Sequence, residues 1–235
     1  MAETDLIPEL TLVIPFYNEE GNVPFVISEA VHALNQLNKT WELIAVDDAS
    51  TDKTYKELTD IALNQAKIRI IHFEKNRGQG AALFEGFSLS KSPLIAMMDG
   101  DGQNVATDIS KLISELNDAD MIVGIRINRD DSRLRILTSR IANFFRRLIL
   151  NDTLHDAGCA LKVFRSEVRS SFHNIKMLNP FMPAFAIAKG YQVKEIPVTH
   201  RARTQGESKY GFRAMLARPL FDLIYVWKVI HFSKK

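Results

Sequence analysis

Apolar and polar positions along this chain fall into alternating blocks. Residues 10–15, Leu-Thr-Leu-Val-Ile-Pro, form a short β-rich apolar run, which predicts a buried strand. After a polar stretch, Val23, Val26, Ile27, Ala30, Val31 and Leu34 recur at helical spacing and predict an amphipathic helix. Further strands are predicted over 41–46, 68–73, 94–98 and 119–124, and a later one over 191–199. A helix capped by Ser50 or Asp52 is predicted to run to about residue 66, and another from the 75–80 loop to about residue 89. Strand, polar loop and helix in repetition predict an α/β chain: a doubly wound, mostly parallel sheet with helices on both faces. Ligands of such sheets bind outside the carboxyl ends of the strands. Tyr17, Glu19, Asp47, Asp48, Arg77, Asp99 and Asp101 all follow predicted strands directly, so separate polar loops should converge on one rim.

The chemistry centres on residues 97–103, Met-Met-Asp-Gly-Asp-Gly-Gln. Asp99 and Asp101 stand one residue apart on a turn where glycine can take positive φ, so both can face one small volume. Two such charges resist ionising together unless a cation lies between them. Oxygen donors alone suit a hard ion, Mg²⁺ or Mn²⁺, bridging carboxylates to a substrate phosphate. Asp101 and Gln103, with Asp99 beside them, are the candidate donors. Taken alone, the stretch also fits an ordinary polar turn after a buried strand.

Composition excludes more than it assigns. At 235 residues, 46% hydrophobic and 25% charged, the chain can bury a large core. A net charge of +2 gives no general pull toward nucleic acid. The single cysteine, Cys159, excludes an intrachain disulfide and fits a reducing compartment. No secretory pattern opens the chain and no apolar run reaches 18 residues, so no transmembrane helix is expected. The glycine fingerprint of a Rossmann dehydrogenase is absent after the first strand, where the loop reads Pro-Phe-Tyr-Asn-Glu-Glu-Gly.

Taken in order, several motifs carry a resemblance: residues 15–19 (Pro-Phe-Tyr-Asn-Glu), 46–52 (Val-Asp-Asp-Ala-Ser-Thr-Asp), 76–80 (Asn-Arg-Gly-Gln-Gly) and 99–103 (Asp-Gly-Asp-Gly-Gln). They resemble the motifs of family 2 inverting glycosyltransferases with the GT-A fold. Residues 123–126, 135–143, 156–164 and 200–210 resemble one branch of it, the dolichyl- or polyprenyl-phosphate sugar synthases of bacterial type. The resemblance spans about residues 10–212 and implies inverting transfer of a hexosyl group, mannose first, from a nucleotide-diphosphate sugar to a polyprenyl phosphate. It implies that Pro15, Tyr17, Glu19, Asp47, Asp48, Arg77, Asp99, Gly100, Asp101 and Gln103 bind the nucleotide sugar. Asp101 and Gln103 would hold Mg²⁺ or Mn²⁺, and Asp99, Asp101, Arg126 and Arg203 would be catalytic. Arg126, Arg135, Arg203, Ser208 and Lys209 would meet the lipid phosphate. The pattern departs from the branch at residues 177–184, where Met-Leu-Asn-Pro replaces a His-Arg pair, and at Arg133, where a Trp is expected.

Residues 126–147 hold seven arginines against two aspartates, and Leu134, Leu137, Ile141, Phe144 and Leu148 repeat at helical spacing. A basic amphipathic helix over about 133–150 would suit an anionic membrane surface, or a solvated basic face on a core-packed helix. Leu220, Leu223, Ile224, Trp227 and Ile230 predict a C-terminal amphipathic helix within 212–235, after a catalytic domain over 1–211. It can lie at an interface, meet a partner or pack on the core. The expected location is peripheral, at the cytoplasmic face of a membrane, with a membrane-protein partner or homo-oligomer left open. Two rivals stay in view: transfer to a sugar hydroxyl, for which the region around Asp156 could supply the carboxylate base, and a non-catalytic nucleotide-sugar or lipid-binding subunit.

Overall fold

A computed structural model of the chain describes residues 7–126, 146–150, 152–202 and 212–232, with side chains in the last span from residue 222. Seven strands form one sheet: β1 (Leu10–Phe16), β2 (Trp41–Asp47), β3 (Ile68–His72), β4 (Leu94–Met97), β5 (Met121–Arg126), β6 (Lys162–Arg165) and β7 (Val193–Val198). Their spatial order is β3-β2-β1-β4-β6-β5-β7. All pairings are parallel except those of β6, which is antiparallel to β4 and to β5. The predicted mostly parallel sheet is therefore present, with one reversed strand that the apolar pattern did not show.

Helices cover both faces. They are α1 (Val23–Asn35), α2 (Thr54–Ala62), α3 (Gln79–Leu89), α4 (Asp108–Ser114), α5 (Leu178–Ala188) and α6 (Phe212–Phe232). The period of two along each strand divides the core. Leu10, Leu12, Ile14 and Phe16 of β1 pack with Val23, Val26, Ile27 and Leu34 of α1 on one face. Val13, Ile44, Val46, Ile95 and Met97 meet Ala82, Leu83 and Phe87 of α3 and Phe181, Met182 and Phe185 of α5 on the other. Every residue of β1 is buried, as a central strand with both faces covered requires.

Three expectations change. The helix after β2 begins at Thr54 and ends at Ala62, shorter than expected, although the Thr54 N–H does find the Asp52 carboxylate at 2.9 Å. Leu223 and Val226 of α6 are buried, whereas Ile224, expected on the same face, is 51% exposed. Residues 146–150 are helical, but Arg146, counted among the basic surface, is buried and ion-paired with buried Asp152, while Leu148 is 69% exposed. The rest of the basic segment lies outside the described residues. Among those described, no helix is long and apolar enough to cross a membrane.

A lysine lies wholly inside the sheet. Lys162, the first residue of β6, has no exposed surface. Burial pushes its amine down from 10.5 to about 8. The unfolded chain then binds this proton more tightly than the folded one, so unfolding takes up a proton between about pH 8 and 10.5. On this group's account stability rises with pH across that window. Denaturant titrations of wild type and Lys162→Met should show the rise in the first and its loss in the second.

Candidate functional site

With β6 reversed, the carboxyl ends of β1, β2, β3, β4, β5 and β7 lie on one edge, together with the amino end of β6. Lys162 stands opposite Met97 of β4 and Val123 of β5. Asp99, two residues past Met97, and Arg126, three past Val123, therefore leave the sheet at the same rim.

The loops after β1 and β2 are laced together. The Asn18 N–H donates to Ser50 Oγ at 2.9 Å, the Thr51 N–H to Asn18 Oδ1 at 2.7 Å and the Glu19 N–H to Thr54 Oγ1 at 2.7 Å. Asn18 and Ala49 take φ of 50° and 58°, a left-handed conformation that this lacing holds in place. Glu19 is buried and accepts from the Asn22 amide at 2.8 Å. Asp47 is fully covered, and its carboxylate is taken by Ser50 Oγ at 2.5 Å and by His72 Nδ1 at 2.7 Å. Asp48 accepts from the backbone N–H groups of Arg77 at 2.6 Å and Gly78 at 2.8 Å and from the Asn76 amide at 2.9 Å. Burial raises the Asp48 carboxyl above its ordinary value, against those donors. Both acids thus shape the loops they stand on. Arg77 lies over the Phe73 ring, 4.4 Å from its centroid, on the same side.

The loop after β4 is fitted closely to β1. A Cβ on Gly100 would stand 2.5 Å from the Phe16 ring and 2.9 Å from the Pro15 carbonyl oxygen, so only glycine brings this turn so near. Gly102, at φ 74°, completes it. Asp99 Oδ1 accepts from the Gln79 amide at 2.6 Å, and the Asp99 N–H donates to Asn104 Oδ1. Asp101 is buried and accepts from the Gln103 N–H at 3.1 Å. The Gln103 amide nitrogen faces the Arg201 carbonyl at 3.3 Å and His200 Nε2 at 3.4 Å, and the Arg201 N–H returns to Gln103 O at 2.9 Å. The segment that follows β7 is thereby tied to the acidic loop. Arg201 is held in turn by a bidentate pair with Glu29 of α1, at 2.7 and 2.9 Å.

Across the rim, Arg126 presents its fork to Asp156, with Nε at 2.8 Å and Nη2 at 2.7 Å. The Asp156 N–H and the His155 N–H both donate to Glu195 of β7 at 2.8 Å. The sheet thus fixes Asp156, and Asp156 fixes Arg126. Gln79, Asp156 as a partner of Arg126, and Glu195 are supports that the apolar pattern could not reveal, because each acts through a contact distant in sequence, and Asn104 is a local support of the Asp99 turn. Arg135, Arg203, Ser208 and Lys209 lie outside the described residues.

Among the described residues no three His, Cys, Asp or Glu side chains cluster as a metal cage. Asp101 and Gln103 do suit a divalent cation chemically. They offer a carboxylate oxygen and an amide oxygen whose own nitrogen is already engaged by Arg201, and Mg²⁺ or Mn²⁺ ordinarily completes its shell with phosphate and water. Cys159 offers no ligand chemistry, since it is buried and its thiol is pushed up to about 11 by that burial.

Comparison with known proteins agrees with this architecture. Residues 11–172 match the model of Glycosyl transferase family 2. The chain is 37% identical over 224 residues to a dodecaprenyl-phosphate galacturonate synthase of Rhizobium johnstonii, covering 93% of this chain and 66% of that one. It is 32% identical over 222 residues to an undecaprenyl-phosphate 4-deoxy-4-formamido-L-arabinose transferase of Pectobacterium carotovorum, covering 94% and 68%. It thus spans about two thirds of the length of these relatives. In fold it resembles glucosyl-3-phosphoglycerate synthase of Mycobacterium tuberculosis, solved with Mn²⁺, UDP-glucose and phosphoglyceric acid, at TM-score 0.67, 16% identity and 95% and 79% coverage. A mannosyltransferase of Pyrobaculum calidifontis solved with GDP-mannose and Mn²⁺ gives TM-score 0.62, 16% identity and 96% and 70% coverage. The match over 11–172, carried on a seven-stranded sheet whose loops meet at one acidic and basic rim, makes this chain a member of glycosyltransferase family 2.

Proposed function

We propose that this chain transfers a sugar from a nucleoside diphosphate to the phosphate of a polyprenyl phosphate, with inversion at the anomeric carbon. The observation that carries this reading is the alignment over 93% and 94% of the chain with two relatives whose names specify transfer to dodecaprenyl and undecaprenyl phosphate. Mannose is the sugar the sequence motifs imply, and galacturonate and 4-deoxy-4-formamido-L-arabinose are those the relatives' names give.

The donor nucleotide lies along the loops of Pro15, Tyr17, Glu19, Asp48 and Arg77, with Asp99 and Gly100 toward the sugar. Asp101 and Gln103 hold Mg²⁺ or Mn²⁺, which neutralises charge on the departing diphosphate when bound. Arg126 offers a planar guanidinium that grips phosphate oxygens, with Asp156 fixing its direction. An acceptor phosphate is already an anion near neutral pH, so no side chain has to remove a proton. The work left to the protein is to hold nucleophile and leaving group in line and to balance their charge. Arg203, Ser208, Lys209 and Arg135 complete the phosphate contacts on this reading. Transfer to a sugar hydroxyl would need a carboxylate base, and Asp156 is a poor one with both oxygens on Arg126. The chain acts peripherally at the cytoplasmic face of a membrane. Exposed Leu148, Ile224, Tyr225 and Phe232 support such contact.

Incubation with detergent-dispersed undecaprenyl phosphate and, separately, GDP-mannose, UDP-galacturonate, UDP-4-deoxy-4-formamido-L-arabinose, UDP-glucose and UDP-GlcNAc tests this. Mass spectrometry of the lipid extract should show one glycosyl phospholipid. Transfer only to an added sugar hydroxyl, or to nothing, overturns it. Chelation should abolish both turnover and calorimetric binding of the nucleoside diphosphate, and Mn²⁺ should restore both. Asp101→Asn should weaken Mn²⁺-dependent binding and lower turnover on the order of 100-fold. Arg126→Lys, which keeps the charge but loses the fork, should lower kcat about 10- to 100-fold with little change in donor KM.

A further inference from the structure

Lys162 takes no part in the transfer as described, yet it is an ammonium buried without any exposed surface at the amino end of β6. Its Nζ donates to the Cys159 carbonyl and to Asn179 Oδ1. Asn179, on the first turn of α5 and itself buried, donates its amide nitrogen to the Gly158 carbonyl at 3.3 Å. The two side chains therefore grip adjacent carbonyls of one short turn. The same turn is closed by the Cys159 N–H donating to the Asp156 carbonyl at 2.9 Å. Asp156 is the residue that takes the Arg126 fork. Asp99, Asp156 and the Cys159 thiol are the acidic groups that act on the lysine, and Arg126 is the opposing cation.

Burying an ammonium is unfavourable, and a methionine of similar length would fill the same space with less desolvation. A charge kept there against that penalty calls for a role besides packing. We infer that Lys162 is a positioning residue for the transfer: with Asn179 it fixes the 156–159 turn, and through Asp156 the direction of Arg126. This rests on the proposed transfer reaction, in which Arg126 and Asp99 face the phosphates and the sugar. Its precedent in general physics is that sites misplaced by about 1 Å lose on the order of 100-fold in rate.

The full chain is compared with Lys162→Met, Asn179→Leu, Asn179→Asp and the double variant Lys162→Met/Asn179→Leu. Each is assayed with the donor that wild type transfers, beside denaturant unfolding. Single removal of either partner leaves a buried polar group without its mate and should destabilise. The double variant, apolar at both positions, should regain stability and not activity. Turnover should stay on the order of 100-fold down in the double variant, with donor KM within about threefold of wild type. Asn179→Asp keeps the acceptor for the amine but loses the donor to the Gly158 carbonyl, so its turnover should fall between that of wild type and that of Asn179→Leu. A double variant that recovers turnover with its stability overturns the inference, as does a loss of turnover that merely follows the unfolded fraction. Should Lys162→Met fail to fold, the Asn179 pair decides alone. A wild type that transfers from no donor overturns the reading beneath, and this inference with it.

Discussion

The reversed strand is the constraint on which the site depends. Were β6 parallel to its neighbours, the segment leading into it would begin at the far edge of the sheet. Because β6 runs antiparallel between β4 and β5, residues 156–161 arrive at the carboxyl-end rim, directly between the acidic loop after β4 and Arg126 after β5. A guanidinium on one strand end, acids on another and a rigid turn between them follow from that single reversal. The parallel half, β3-β2-β1-β4, then supplies the loops that suit a nucleotide.

The two halves of the rim are held by different physics. On the nucleotide side, backbone N–H groups and small polar side chains lace the loops, so each carboxylate points where a neighbouring loop can satisfy it. On the opposite side, cations dominate: Arg126 and Arg201 in charge pairs with Asp156 and Glu29, and Lys162 among neutral oxygens. Such pairs contribute direction more than stability, since desolvation offsets much of their attraction. On the proposed transfer, that division suits a donor whose nucleoside passes through unchanged while charge shifts between phosphates.

Much of this was legible in the chain. The apolar runs placed β1, β2, β3 and β4 within a residue or two, because a strand buried on both faces is nearly continuous in apolar side chains. The polar loops after them followed from the general rule for such sheets. Three elements escaped, the first being α4, whose seven residues are too few to show a helical period. Strand β6 is only four residues long and begins with a lysine, which reads as surface unless its partners are known. Helix α5 contains Pro180 and Pro183, residues that ordinarily argue against a helix, although its first turn tolerates the former. Supports such as Glu195 and Asn179 were invisible for a plainer reason: nothing local distinguishes a polar residue whose partner stands 17 or more positions away.

The contact between Gly100 and the Phe16 ring has a consequence for how this protein can change. One aromatic edge serves as the common wall of the first and fourth loops, so neither can drift without the other. A smaller side chain at position 16 would leave the acidic turn unsupported, and any side chain at position 100 would push it off the strand. A substitution at either position therefore disturbs both loops at once. New sugar preferences would then have to arise from the outer loops, leaving this inner hinge of phenyl and glycine as it stands.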